Sequence, residues 1–157
     1  MTRTLRFSLV GLAVIGGIAT AAYLWQSDPA NANGLLPYQD ADRIAKGADI
    51  YEDACASCHG DQLQGEPNWR ERDADGYLPA PPHDETGHTW HHPDAQLIQI
   101  VALGTEAIVG NGYQSKMIGF ADSLEPHDIV DVLAFIKSTW PDHIILRHND
   151  FNTRAGQ

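Results

Sequence analysis

The pattern of hydrophobic and polar positions begins with one long apolar run and continues as a mostly polar chain. Residues 7–25 form an uncharged run of 19 residues, and Arg3 and Arg6 precede it. A helix of that length spans roughly 28 Å, close to the hydrocarbon thickness of a bilayer. Basic residues before an apolar segment favour a cytoplasmic N-terminus. We therefore predict a signal anchor, a transmembrane helix, over residues 1–25.

A cleaved signal peptide is the alternative for this segment. Ala30-Asn31-Ala32 has the A-x-A form of a cleavage site, and basic residues stand near the start of the chain. The apolar run is longer than the usual core of a signal peptide, which favours the uncleaved anchor. Under either alternative, the rest of the chain lies outside the cytoplasm.

Further along the chain, apolar residues recur at helical spacing in three segments. They predict helices over residues 40–57, 93–103 and 126–139. Residues 60–92 and 104–119 are polar and rich in glycine, so we predict loops there, the first with at most one short helical turn. No segment shows the alternation of a strand, and the predicted fold class is therefore all-α. The clearest helical repeat is Ile129, Val132, Leu133 and Ile136.

The organisation of the remaining chain is that of one domain. Residues 26–39 predict a linker with little core potential, residues 40–141 the domain, and residues 142–157 a C-terminal tail. Gly47 lies inside the first predicted helix, where glycine is less favourable than alanine. We therefore expect Gly47 to allow another helix to approach closely.

The charge distribution excludes one class of partner. All 21 acidic residues but only 8 of the 10 basic ones lie in residues 26–157, which gives this part a formal charge of −13. A nucleic-acid-binding protein needs a basic patch, so we predict no nucleic-acid partner. An acidic surface suits electrostatic steering towards a basic protein.

Residues 55–59 read Cys-Ala-Ser-Cys-His, the C-x-x-C-H signature of covalent haem attachment. Cys55 and Cys58 are the only cysteines of the chain, and two thiols at this spacing can add to the two vinyl groups of one porphyrin. His59 would then present an imidazole nitrogen to the iron. A zinc site needs a second pair of ligands at regular spacing, and no second cysteine pair exists. A short disulfide is the other alternative.

An electron carrier needs a second axial ligand, because an occupied sixth position blocks substrate binding. Met117 is the only methionine outside the predicted anchor and thus the only available thioether. It lies in the second predicted loop, before the last predicted helix. The seven other histidines are alternatives: His83, His88, His91, His92, His127, His143 and His148.

The C-x-x-C-H motif, the Met117 loop and the segment Leu-Ala-Phe-Ile-Lys-Ser-Thr-Trp at residues 133–140 closely resemble class I c-type cytochromes of bacterial membranes. The resemblance covers roughly residues 42–141. It implies a cytochrome c-like helical domain around one haem c. It also implies that His59 is the proximal ligand and Met117 the distal one. Gly47 and Tyr51 of the first helix would then meet Phe135 of the last predicted helix.

The resemblance also assigns residues around the cofactor. A proline carbonyl usually accepts the ring N–H of the proximal histidine, and either Pro81 or Pro82 could supply it. The indole N–H of Trp90 could serve a haem propionate. Many family members have proline after the distal methionine, whereas this chain has Ile118, so the rigidity of the loop is in question.

The resulting hypothesis is a monohaem cytochrome that transfers one electron between periplasmic or membrane redox proteins, with its domain in the periplasm of a bacterium. This hypothesis predicts no enzymatic activity for the protein. One alternative is a haem enzyme or gas sensor in which the sixth ligand is labile, with chemistry on peroxide or a nitrogen oxide. Another is a copper-handling module built on His83, His88, His91 and His92, since neighbouring imidazoles can bind Cu(II).

Overall fold

The computed structural model describes residues 34–156. The predicted anchor and residues 26–33 of the predicted linker lie outside this part. Within it, every regular element is a helix and no strand is present, which confirms the all-α prediction. No helix among residues 34–156 is long and apolar enough to span a bilayer.

The regular elements of the described part of the chain are six α-helices and one short 3-10 turn. In chain order, the helices are α1 (Ala41–Ala54), α2 (Ala56–His59), α3 (Asp94–Leu103), α4 (Thr105–Val109), α5 (Pro126–Ser138) and α6 (Asp142–Arg154). The 3-10 turn is Thr89–His91, which is the short helical turn expected in the first loop.

The first predicted helix is divided in two by the cysteine motif. Asp40 caps α1, because its carboxylate accepts the backbone N–H groups of Asp42 and Arg43. The helix ends before Cys55, whose φ and ψ of −119° and −39° depart from helical values. The rest of the motif then forms α2, and Gly60 ends that helix at a φ of +81°.

The second predicted loop contains a helix that the sequence analysis did not predict. Gly104 ends α3 at a φ of +82°, and α4 begins at the next residue. A helix as short as α4 shows no apolar repeat, since the repeat needs more than one turn to become visible.

Helices α1 and α5 cross at Gly47, as predicted. A Cβ atom on Gly47 would overlap the carbonyl oxygen of Asp131 and lie 2.9 Å from Cβ of Phe135. One turn later, the rings of Tyr51 and Phe135 meet with their centroids 5.5 Å apart. Only a residue without a side chain therefore allows this crossing. The core continues from it through buried residues of α3, α5 and the turn beyond α5: Leu97, Ile129, Val132, Leu133, Ile136 and Trp140.

Residues 142–154, which we predicted only as part of a C-terminal tail, form the helix α6. The buried positions of α6 are Ile144, His148 and Asn152, spaced four residues apart. Two of these three are polar, so the apolar repeat that marks a helix in a sequence is missing. Pro141 is the N-cap residue of α6.

The end of the predicted linker is also part of the domain, which corrects the expectation of little core potential. Leu36 is only 1% exposed. The carboxylate of Asp94, at the start of α3, accepts the backbone N–H of Leu35 at 2.7 Å and that of Leu36 at 3.3 Å. The buried side chains of Lys137 and His148 lie 3.8 and 3.6 Å from the other oxygen of Asp94. One buried carboxylate thus joins the N-terminal segment, α3, α5 and α6.

The Gly47 crossing can be tested with Gly47→Ala. Alanine would favour an isolated helix by about 1 kcal/mol. The overlap with α5 should outweigh this gain. Gly47→Ala should therefore lower the free energy of unfolding by about 1–3 kcal/mol, the usual cost of overpacking. Urea unfolding of the haem-loaded protein measures it. Ala45→Gly, at an exposed position of α1, is the control and should lose about 1 kcal/mol from helix propensity alone. A stabilised Gly47→Ala variant would contradict the close crossing.

Candidate cofactor-binding site

The two cysteine thiols lie on one turn of the chain. The backbone N–H groups of Cys58 and His59 both bond to the carbonyl of Cys55, at 3.1 and 3.0 Å. Residues three apart on such a turn share a face, so both thiols are available to one flat molecule. They are not joined in a disulfide, Cys55 being half-buried and Cys58 exposed. Burial, followed by the neighbouring Cys58, raises the pKa of Cys55 to about 11, so this thiol keeps its proton at neutral pH.

His59 is buried and held in one orientation. Its Nδ1 lies 2.8 Å from the carbonyl oxygen of Pro81, and only a ring N–H can bond to a carbonyl. The proton therefore sits on Nδ1, and Nε2 keeps its lone pair for a metal. Nε2 has no hydrogen bond to any residue between 34 and 156. Burial lowers the pKa of His59, which favours the neutral form that coordinates metals. Of the two prolines left open by the sequence, the structure brings Pro81 to the ring.

Gly65 allows the Pro81 carbonyl to reach His59. Gly65 has a φ of +66°, and its backbone N–H bonds to the carbonyl of His59 at 2.7 Å. A Cβ atom on Gly65 would lie 2.5 Å from the nitrogen of Pro82, 2.6 Å from the carbonyl carbon of Pro81 and 2.7 Å from the oxygen of Ala80. The loop that returns from α2 thus passes directly against the proline segment, and a side chain here would separate them.

His83 is a residue of the site that the sequence analysis placed elsewhere. Its ring stacks on the His59 ring, with centroids 3.9 Å apart and planes inclined by 23°. Nδ1 of His83 lies 2.6 Å from the hydroxyl of Thr89, and its carbonyl accepts the indole N–H of Trp140 at 2.7 Å. Burial lowers the pKa of His83 well below its ordinary value, so the ring is neutral. Its position two residues after Pro81 was the one signal that could have indicated this contact.

The other three histidines of the predicted copper cluster remain together near the surface. The His88 ring lies 5.2 Å from His91 and 4.8 Å from His92, measured between centroids. In the described part of the chain, no three or more His, Cys, Asp or Glu side chains are placed to hold a metal ion. His83, the fourth imidazole of the copper hypothesis, stacks on His59 instead.

Trp90 has other partners than the one we predicted. Its indole N–H, the expected donor to a propionate, points to the carbonyl oxygen of Glu85 at 3.2 Å. The indole ring stacks on His91 at 3.7 Å between centroids, and the guanidinium of Arg147 lies 5.0 Å from its centre. Trp90 therefore connects the 3-10 turn to α6.

Met117 is half-buried in the loop between α4 and α5. Its carbonyl accepts the N–H of Thr105 at 3.3 Å, and its own N–H donates to the hydroxyl of Ser115 at 3.0 Å. Met117 lines a recess of about 510 Å³ together with Leu103 and Ile118. The backbone of this loop is thus attached to the α3–α4 corner, and its side chains remain accessible.

These residues fit a covalently attached haem, since they combine two reduced thiols on one face with a neutral imidazole whose outer nitrogen is unpaired. The family model for cytochrome c matches residues 44–140, more than half of the chain. No curated protein and no solved structure gives a significant match. The family carries haem c bound through the cysteines of C-x-x-C-H, the motif formed here by residues 55–59. The chain accordingly belongs to the cytochrome c family and binds haem c through Cys55 and Cys58.

Proposed function

We propose that this protein is a class I, monohaem cytochrome that carries single electrons between two redox proteins, with His59 and Met117 as the axial ligands of its iron. Membership of the cytochrome c family supports haem-based electron transfer in general. The observation that carries the finer proposal is the 2.8 Å contact between Nδ1 of His59 and the carbonyl of Pro81. It leaves Nε2 as an unprotonated donor of fixed orientation, which is what a permanent ligand requires.

The haem supplies an iron that cycles between Fe(III) and Fe(II), and the chain sets the balance between these two states. The bond to Pro81 increases the basicity of the His59 imidazole, which favours Fe(III). The thioether of Met117 favours Fe(II) and raises the reduction potential compared with a second histidine. The opposed effects of the two ligands tune the potential without any large movement of the chain.

Two strong ligands also account for the absence of substrate chemistry in this proposal. With both axial positions filled by side chains, no substrate can reach the iron unless a ligand leaves. The alternative of an enzyme or gas sensor therefore depends on the distal side alone. His59 is buried, whereas the loop of Met117 carries Ile118 with 66% of its surface exposed.

The proposed redox partners would dock on an acidic protein. The formal charge of the chain is −11, and nearly all of its acidic residues lie in the described part. A field of this sign steers basic surfaces towards the domain and speeds transient docking at low ionic strength. We therefore propose partners whose docking surfaces are rich in Lys and Arg.

We also propose that residues 7–25 anchor the domain on the periplasmic side of a bacterial cytoplasmic membrane. Because Leu35 and Leu36 are bound to Asp94, the tether between anchor and domain shortens to residues 26–33. This tether spans at most about 28 Å when fully extended, so the haem domain would stay close to the bilayer.

The identity of the sixth ligand is the first prediction. The ferric protein should show the weak far-red band of a methionine sulfur bound to iron. Met117→Ala should abolish this band and lower the reduction potential by more than about 59 mV, which is a tenfold shift between the two oxidation states. Ile118→Ala, a change at the exposed neighbour, is the control and should keep the band. A high-spin wild type without the band would instead support the enzyme or sensor.

The role of the Pro81 carbonyl can be tested through Gly65→Ala. The added methyl group should push the proline segment away from His59, weaken the ring hydrogen bond and raise the reduction potential by up to about 59 mV. Gly156→Ala is the control beyond α6, because its φ is +80° and a Cβ atom there would meet nothing within 4 Å. Equal potentials for the two variants would contradict a role for this contact.

The anchor can be tested on the native protein by cell fractionation and mass spectrometry. An uncleaved anchor predicts a haem-containing protein of full mass in the membrane fraction, resistant to carbonate extraction. Cleavage after Ala32 predicts a soluble protein that begins at Asn33. In spheroplasts, added protease should reach the anchored domain. Protection from protease would overturn the proposed topology.

A further inference from the structure

A turn in the first long loop contacts the Met117 loop through charged and aromatic side chains. The ammonium group of Lys116 lies 2.8 Å from a carboxylate oxygen of Asp73 and 5.0 Å from the centre of the Tyr77 ring. Beside it, the guanidinium of Arg72 lies 5.6 Å from the centre of the Tyr113 ring. Residues 72–77, here called the clasp turn, thus contact two residues of the segment that leads to Met117.

The clasp turn is held by hydrogen bonds of its own that do not involve Lys116. One carboxylate oxygen of Asp73 accepts the backbone N–H groups of Asp75 and Tyr77, at 3.0 and 2.8 Å. The N–H of Asp73 bonds to the carbonyl of Tyr77 at 2.8 Å, and the Arg72 guanidinium bonds to the carbonyl of Gly76 at 2.5 Å. The second carboxylate oxygen is therefore held in place for Lys116. An ion pair on such a support loses less side-chain entropy than one between two mobile side chains.

The Met117 loop is otherwise attached to the α3–α4 corner, where the N–H groups of Phe120 and Ala121 bond to the carbonyls of Val101 and Ala102 at 3.0 and 3.1 Å. On the α4 side, the carboxylate of Glu106 accepts the N–H of Ser115 at 2.8 Å, and Thr105 donates to the carbonyl of Met117 at 3.3 Å. The residue after Met117 is isoleucine, whose backbone is freer than that of proline. The loop is consequently held by the α3–α4 corner and by the clasp turn.

We propose that Asp73 is a positioning residue for the distal ligand: through Lys116, the clasp turn holds the Met117 loop closed and so keeps the thioether on the iron. This inference rests on the proposed ligation by Met117. It assigns to the long polar loop the restraint that Ile118, unlike a proline, does not give to the backbone. Because Lys116 is well exposed, salt should screen the pair and loosen the loop.

Imidazole binding to the ferric haem-loaded protein measures the opening of the loop. Imidazole must displace Met117, and loss of the far-red band follows the displacement. Asp73→Asn should bind imidazole about two- to fivefold more tightly than wild type, the range expected for an exposed ion pair. Asp75→Asn is the matched control, since it removes one negative charge from the same turn but its carboxylate makes no bond to Lys116. This control should bind imidazole as the wild type does.

A double-mutant cycle and a salt series separate the ion pair from other effects. Lys116→Gln should reproduce Asp73→Asn, and the double variant should add nothing further. Raising the salt from about 0.01 M to about 1 M, which shortens the screening length from about 30 to about 3 Å, should tighten imidazole binding to wild type but not to Asp73→Asn.

The outcomes distinguish the two levels of the proposal. A wild type without the far-red band would refute ligation by Met117, and with it the proposed function. If the band is present but Asp73→Asn, Lys116→Gln and wild type bind imidazole equally at every salt concentration, only the clasp is refuted. Circular dichroism of each variant checks that the helices are intact, and additive effects in the double variant would also overturn the role of the pair.

Discussion

The hydrogen bond from the His59 ring to the Pro81 carbonyl is the constraint on which the rest of the site depends. It joins the short helix α2 to a loop that has no regular structure of its own for most of its length. The bond forms only because Gly65 leaves room for the proline segment. A buried, neutral imidazole whose Nδ1 is committed to a carbonyl can offer only Nε2 to a metal. One contact thereby fixes the tautomer and the orientation of the proximal side chain.

The core of the domain supports this contact through a second set of interactions. The indole of Trp140, just beyond α5, donates to the carbonyl of His83, while the His83 ring lies against that of His59. On α6, His148 bonds to the carbonyl of His92 at 2.8 Å. The α6 helix lies beyond the residues matched by the cytochrome c family, yet it holds the end of the loop that carries Pro81. Packing of Trp140 and α6 thus supports the orientation of His59 beside the cysteines.

A feature could be predicted from the sequence wherever its signal is local. The C-x-x-C-H motif and the glycine at the α1–α5 crossing each depend on residues a few positions apart or on one residue type with one physical use. A polar contact between residues far apart in the chain could not be predicted from the sequence. The stack of His83 on His59, and the buried polar face of α6 that includes His148, leave no periodic pattern in the chain. Both arise from tertiary packing, because a buried polar side chain is satisfied only by partners that folding brings together.

His59 and the Met117 loop, the two sides of the proposed haem site, differ in the kind of interaction that holds them, and this difference bears on the proposed function. On the His59 side, the side chains of His59 and Trp140 are buried, and their hydrogen bonds are partly shielded from salt and solvent. The distal loop rests on backbone bonds to the α3–α4 corner and on the pair between Asp73 and Lys116, which is open to solvent. Stability of the domain and retention of Met117 are therefore separable, since exposed pairs contribute little to folding but can still bias the position of a loop. Under the proposed function this separation is useful, because the reduction potential would depend on ligation by both His59 and Met117, whereas the fold does not depend on the exposed pair at the Met117 loop.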